Sequence, residues 1–225
     1  MKRTLLYVAL AMFSTYSFSQ ITVGQTSDFQ SGTQGWKHGQ PSSTNQPVQI
    51  TMGGPGGMTD AFLRTTNSGS GGPGGRHAFI NDDANWIGDF TAAGVLSINF
   101  DVQNPGSRDV SLRVGLQSNF NSRWAVSTVP TVIPAGSGWV NVTMNVDAAS
   151  LTSAGNPAEM VSDILTDVTI IKIYSNDGST SPLYAGELTS LVSDYDNITA
   201  LSTLSAPDFS RQSNEFSISP NPARS

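Results

Sequence analysis

The 225-residue chain has no cysteine, only two histidines and only three glutamates, and 12% of its residues are charged. Without cysteine there is no disulfide, no thiolate nucleophile and no Cys-ligated zinc or iron–sulfur centre, so any staple must be packing or an oxygen-ligated metal. His38 and His77 do not stand in HExxH spacing, and no Gly-x-Ser-x-Gly elbow occurs, which removes the commonest signatures of zinc hydrolases and serine esterases. Glu159, Glu187 and Glu215 fall in a helical pattern, a loop and the tail, and Asp101 would need a partner across a sheet to form a glycosidase pair. The parts for catalysis are scarce, and a non-catalytic binding or structural role is expected. Cations are also few. With 11 Lys and Arg against 17 acids the net charge is -6, which repels phosphate backbones and argues against a nucleic-acid partner.

What the chain has instead is 22 Gly, 12 Pro and period-two alternation. Lys2 and Arg3 precede a short apolar stretch, Leu5 to Phe13, and Ser17 and Ser19 supply small residues before a cleavage point. Residues 1–19 therefore read as a secretory signal peptide, too short in its apolar part to span a bilayer. Its removal lowers Lys and Arg to 9 and the charge to -8, and leaves no transmembrane segment in the mature chain. Leu96, Ile98, Phe100 and Val102 alternate with polar residues, as do Val110, Leu112, Val114 and Leu116 after the turn Asn104–Ser107, and Val140, Val142, Met144 and Val146. The first two runs read as consecutive antiparallel strands. Further strands are predicted over 48–52, 61–66, 77–81, 123–127, 168–174 and 195–201, and one helix over 157–165, where Pro157 suits a first turn. The pattern predicts an all-β antiparallel sandwich of about eight to ten strands with one short helix, occupying residues 20–203. Two glycine blocks, Gly53–Gly57 and Gly71–Gly75, lack the Gly-Lys-Ser/Thr ending of a phosphate loop and read as mobile loops.

Asp28-Phe29-Gln30-Ser31-Gly32 with Gly35-Trp36, and Asp194-Tyr195-Asp196-Asn197-Ile198, resemble the entry and closing strands of galactose-binding-like and laminin-B-type jelly-roll domains. Trp86 to Val95 is similar to a segment that recurs in bacterial secreted domains of this kind. The resemblance implies a jelly-roll of the carbohydrate-binding-module type, whose relatives often hold a structural calcium where first and last strands meet, here at Asp28 and Asp196. A second oxygen-rich loop, Asn81 to Asn85 with Asp89, competes for the ion; solvated loop acids and strand caps would explain both sets equally. Residues 204–225 read as a linker followed by Glu215 to Ala223, which resembles the opening of the sorting domain of type IX secretion, or else an ordinary polar tail.

Sugar recognition uses aromatic faces with planar polar groups on a solvent-facing surface. Trp124, in a polar context, is the expected platform. Arg113, placed between Leu112 and Val114, is expected to face outward, with Asn99, Asp101 and Asn141 as a polar floor. Trp36 and Trp139 are expected in the core. The first reading is a secreted glycan-binding module. An adhesive module contacting matrix or protein, and an accessory part of a longer hydrolase, are the alternatives.

Overall fold

The computed structural model describes residues 20–39, 42–72, 74–118, 123–155 and 159–205. The expected signal peptide, the polar stretch before Arg123, Pro157 and the sorting-like segment lie outside the described residues. Two six-stranded antiparallel sheets form a jelly-roll β-sandwich. The first runs β2 (Val48–Ile50), β3 (Phe62–Thr66), β12 (Val192–Leu201), β5 (Ser97–Asn104) and β9 (Ser137–Asn145), with β1 (Thr26–Ser27) paired to β12. The second runs β10 (Leu151–Ser153), β7 (Trp124–Ser127), β6 (Val110–Ser118), β11 (Val168–Ser175) and β4 (Ala78–Asn81), with β8 (Thr131–Ile133) on one end of β6. The strands that the sequence does not reveal, β1, β8 and β10, span two or three residues, too few for alternation to register.

Two short helices join them. The expected helix is α2 (Val161–Leu165), while α1 (Phe90–Ala93) has no counterpart among the predicted elements; Asp89 caps it by accepting from the Ala92 amide at 2.7 Å, and Gly94 closes it in the left-handed region.

Alternation assigns the faces correctly: Ile98, Phe100 and Val102 of β5 and Leu112, Val114 and Leu116 of β6 are buried in one core between the sheets. It does not assign the sheets. β5 and β6 are expected as neighbours, but β5 pairs β12 and β9, whereas β6 pairs β11, β7 and β8. The turn between them crosses the sandwich, and buried Asn104 fixes it, donating to the carbonyls of Arg108 (2.8 Å) and Ile133 (3.0 Å) and accepting from Gly106 N. Strands in opposite sheets that share a core carry the same pattern as strands in one sheet, so the sequence does not distinguish them.

The core is aromatic at its closed end. Trp36 and Trp86 are 1% exposed and meet edge to face at 5.4 Å, and both indole N–H groups donate to the Ser27 hydroxyl, at 3.0 and 3.1 Å. Trp139 departs from expectation. It lies half-buried on the outer face of the first sheet, edge-on to Phe62 at 5.3 Å, and donates to the Gly53 carbonyl. In the first glycine block, Gly54 and Gly56 wrap the Asp60 carboxylate so closely that a Cβ on Gly54 would lie 2.6 Å from its oxygen.

Ser27→Ala strands two buried indole donors, and each such group costs about 1–3 kcal/mol. Urea unfolding should register a loss of about 2–4 kcal/mol. A loss under about 0.5 kcal/mol, the level of an ordinary surface substitution, would show that the hydroxyl is dispensable.

Candidate functional site

The residues expected to form one ligand surface lie on opposite faces of the sandwich. Asn99, Asp101 and Asn141 stand on the outer face of the first sheet, and Trp124 and Arg113 on the outer face of the second. The first set is a ladder satisfied within itself. Asn99 Nδ2 reaches Asn141 Oδ1 (2.7 Å) and Thr143 Oγ1 (2.8 Å), and Asn141 Nδ2 donates to Asp101 Oδ1 (2.9 Å). Beside it Arg64 forks onto Asp194 with two bonds of 2.7 Å, and Gln103 donates to the same carboxylate. These groups already hold one another.

The first and last strands do meet, as expected: Ser27 stands opposite Ile198. The side chains of the two anticipated metal ligands have different partners. Asp28 is exposed and its carboxylate accepts from Gln30 N (3.2 Å) and Gln34 Nε2 (2.8 Å). Asp196 is buried, and burial, aided by the neighbouring carboxylates of Asp60 and Asp101, raises its pKa from 3.8 to about 7. In the competing loop, Asp82 pairs with Lys37 at 2.6 Å, Asn81 donates to Gln34 O, and Asp89 is the helix cap. Among the described residues no group of three or more histidines and acids is placed to hold a metal ion.

The second outer face holds a layer of its own. Trp124, Val126 and Tyr174 form a buried cluster separate from the main core, joined by Ala78, Ile170, Leu183 and Tyr184. Tyr184 lies flat on Trp124, with centroids 5.7 Å apart and planes 12° from parallel. The Lys172 ammonium sits 3.6 Å from the centre of the Trp124 ring and also near Tyr174 and Tyr184, and donates to the Tyr184 carbonyl at 2.6 Å. Burial, aided by nearby Arg76, lowers its pKa to about 7, while the ring faces and that carbonyl favour the charged form. Space for the indole comes from Gly115, whose hypothetical Cβ would lie 3.3 Å from both Trp124 and Tyr174.

Two expectations fail on this face. Arg113 does point outward, yet it is 3% exposed, and its guanidinium donates to the carbonyls of Asn176, Ser127 and Thr128. It is a structural strut. Trp124 is 7% exposed, because loop 176–190 folds back across the sheet and covers it. Asn176 holds that loop, donating to the carbonyls of Thr180, Leu183 and Ala185. Tyr174 Oη adds a bond to Leu183 O at 3.0 Å. The accessible ring is therefore that of Tyr184, which is half-buried. Sequence reasoning misses Tyr184, Lys172 and Arg76. One signal is present for Lys172, a lone cation at an outer-face position of the apolar run Ile170 to Tyr174; Tyr184 follows a turn and carries no periodic mark.

Trp124→Ala should lower stability by about 3 kcal/mol, toward the low end for buried tryptophan because one loop alone covers it. Unchanged urea unfolding would place the indole in solvent. For Asp196 the sign follows from a folded pKa raised above 3.8: the folded state holds the proton more tightly, so stability falls as pH rises from about 4 through 7 and the penalty is full above 7. Asp196→Asn should therefore gain stability over the parent progressively across that window and hold the gain above it. A gain independent of pH would contradict the shift.

No family model matches the chain, and no curated protein matches it. Among solved structures, the fold is similar to part of an exo-β-agarase, with TM-score 0.53 and 11% identity over 83% of this chain and 26% of that one. A family 11 carbohydrate-binding module from Clostridium thermocellum, solved with a β-1,3-1,4-mixed-linked tetrasaccharide, aligns over 82% of this chain and 99% of that one at 15% identity and TM-score 0.49. A carbohydrate-binding module specific for non-crystalline cellulose aligns over 80% and 96% at 14% identity and TM-score 0.48. At these identities the likeness is one of fold.

Proposed function

We propose that the chain is a secreted, non-catalytic module that binds a glycan on the outer face of its second sheet. The observation that carries this reading is the layer of Trp124, Tyr174, Tyr184 and Lys172, which lies outside the sandwich core and presents the half-buried Tyr184 ring to solvent. An aromatic face takes up the C–H side of a sugar ring, and neighbouring charged donors take its hydroxyls. Trp124 acts from beneath, setting the tilt of Tyr184. The fold shared with part of an exo-β-agarase supports a setting in polysaccharide chemistry, including that of an accessory module in a larger hydrolase. Export through the leader and the type IX pathway belongs to the same proposal. Among the described residues no helix is long and apolar enough to cross a membrane.

Calcium enters as a proposal for Asp196, where a cation would relieve the repulsion from Asp60 and Asp101; Asp28 would have to turn away from Gln34 to join it. Calcium loading would then raise the melting temperature and chelation lower it. A protein or matrix ligand is the second reading, favoured by Met52 and Met58, which stand 61% and 78% exposed in the glycine-rich loop beside the first sheet.

A glycan array probed with the exported chain tests the first reading. The parent should bind at least one oligosaccharide, and Tyr184→Ala should lose about 1–3 kcal/mol of that binding while its melting curve, though lowered by the lost stack on Trp124, shows it folded at the assay temperature. Retained affinity in Tyr184→Ala, or an array with no bound glycan, would overturn it.

A further inference from the structure

At the β4 edge of the same outer face lies a cavity of about 330 Å³, lined among others by His38, Ser43, Gly74, Arg76, Ala78 and Ile80. That volume is within the range of small-ligand sites. Ala78 and Ile80 stand opposite Tyr174 and Lys172 in the β4–β11 register, so the cavity continues the aromatic layer sideways. Its walls are joined. Asn45 Nδ2 donates to the Gly74 carbonyl at 3.1 Å, and a Cβ on Gly74 would overlap the Thr44 carbonyl, so glycine is needed for this approach.

Two features of the lining leave polar capacity that the fold does not use. His38 is 2% exposed and neither ring nitrogen has a hydrogen-bond partner, although Gln46 clamps its backbone through the N–H (2.9 Å) and the carbonyl (3.2 Å). Buried polar atoms left unpaired are costly, and a ligand that pairs with them removes that cost. Arg76 commits one N–H to the Gly186 carbonyl at 2.7 Å and forms no ion pair among the described residues, and the same holds for nearby Lys172. Among the described residues no acid lines the cavity. In a chain of net charge -6, Arg76 is a permanent positive charge on this face, and Lys172 beside it adds to it below about pH 7.

We infer that the cavity is a subsite for an anionic sugar unit, carrying a carboxylate or a sulfate, in which Arg76 takes the anion and His38 a ring hydroxyl. The inference rests on the glycan reading of this face and names its ligand class. The planar guanidinium fork matches a carboxylate or sulfate through paired N–H donors. Burial lowers the His38 pKa to about 4, so its ring is neutral, with one donor and one acceptor, the complement of a hydroxyl.

Calorimetric titration of the full exported chain tests this, with tetragalacturonate, its methyl ester, a carrageenan tetrasaccharide and cellotetraose as probes. One charged probe should bind at least about tenfold more tightly than its neutral counterpart, a difference of about 1.4 kcal/mol. The galacturonate and carrageenan arms separate carboxylate from sulfate. Arg76→Gln should cost the charged probe about tenfold more affinity than its neutral counterpart, Arg76→Lys should keep part of the preference, and His38→Ala should weaken the acid and its methyl ester alike and leave the preference in place. Melting curves establish that each variant is folded. Equal affinity for charged and neutral probes, or parallel losses on both in Arg76→Gln, would overturn the anionic subsite while the glycan reading stood. Absence of binding to every probe and to the array would overturn both.

Discussion

One hydroxyl ties together the parts of the sandwich that are far apart in sequence. Ser27, in the two-residue strand β1, accepts the indole N–H of Trp36 and that of Trp86, so the first strand, the turn after it and the loop before α1 converge on one buried oxygen. Without disulfides the chain relies on such packed polar nodes between apolar sheets. The node fixes Trp36 against Phe79 of β4 at 5.2 Å and thereby the edge of the second sheet. It also fixes the residues immediately C-terminal to Trp36, since Lys37 bridges Ile80 and His38 lines the neighbouring cavity. The core thus sets the position of the outer face.

A second constraint acts on that face from outside. Buried Asn176 gathers three carbonyls of loop 176–190, Arg113 donates to the Asn176 carbonyl, and Lys172 and Tyr174 donate to Tyr184 and Leu183. Together these bonds satisfy five loop carbonyls, that of Leu183 twice, and lay Tyr184 on Trp124. A rigid ring stacked on a second ring loses little further freedom on meeting a ligand, which favours binding.

Val140 of β9 is exposed and a register shift at Asn197 breaks the period in β12, whereas β5 and β6 are legible because alternate residues meet one common core. The partner of each strand is not, since Val102 and Val110 are buried alike in opposite sheets. Alternation also says which way Arg113 points but not what covers it, and the cover comes from a loop some sixty residues later in sequence. The expected floor of Asn99, Asp101 and Asn141 fails to join Trp124 for the same reason: face assignments are local, whereas a surface is assembled by topology. Tyr184 and His38 belong to irregular segments whose placement depends on Asn176 and Gln46, and no period marks them.

The four tryptophans report directly on where a ligand docks, because they divide by position: Trp36 and Trp86 lie in the core, Trp139 on the first outer face and Trp124 beneath Tyr184 on the second. The decisive measurement is the indole N–H region of a ¹H–¹⁵N spectrum recorded while tetragalacturonate or cellotetraose is added. The Trp124 resonance should shift and saturate while those of Trp36, Trp86 and Trp139 stay in place. A shift of Trp139 with Trp124 unmoved would put the ligand on the opposite sheet and contradict a glycan site on the second.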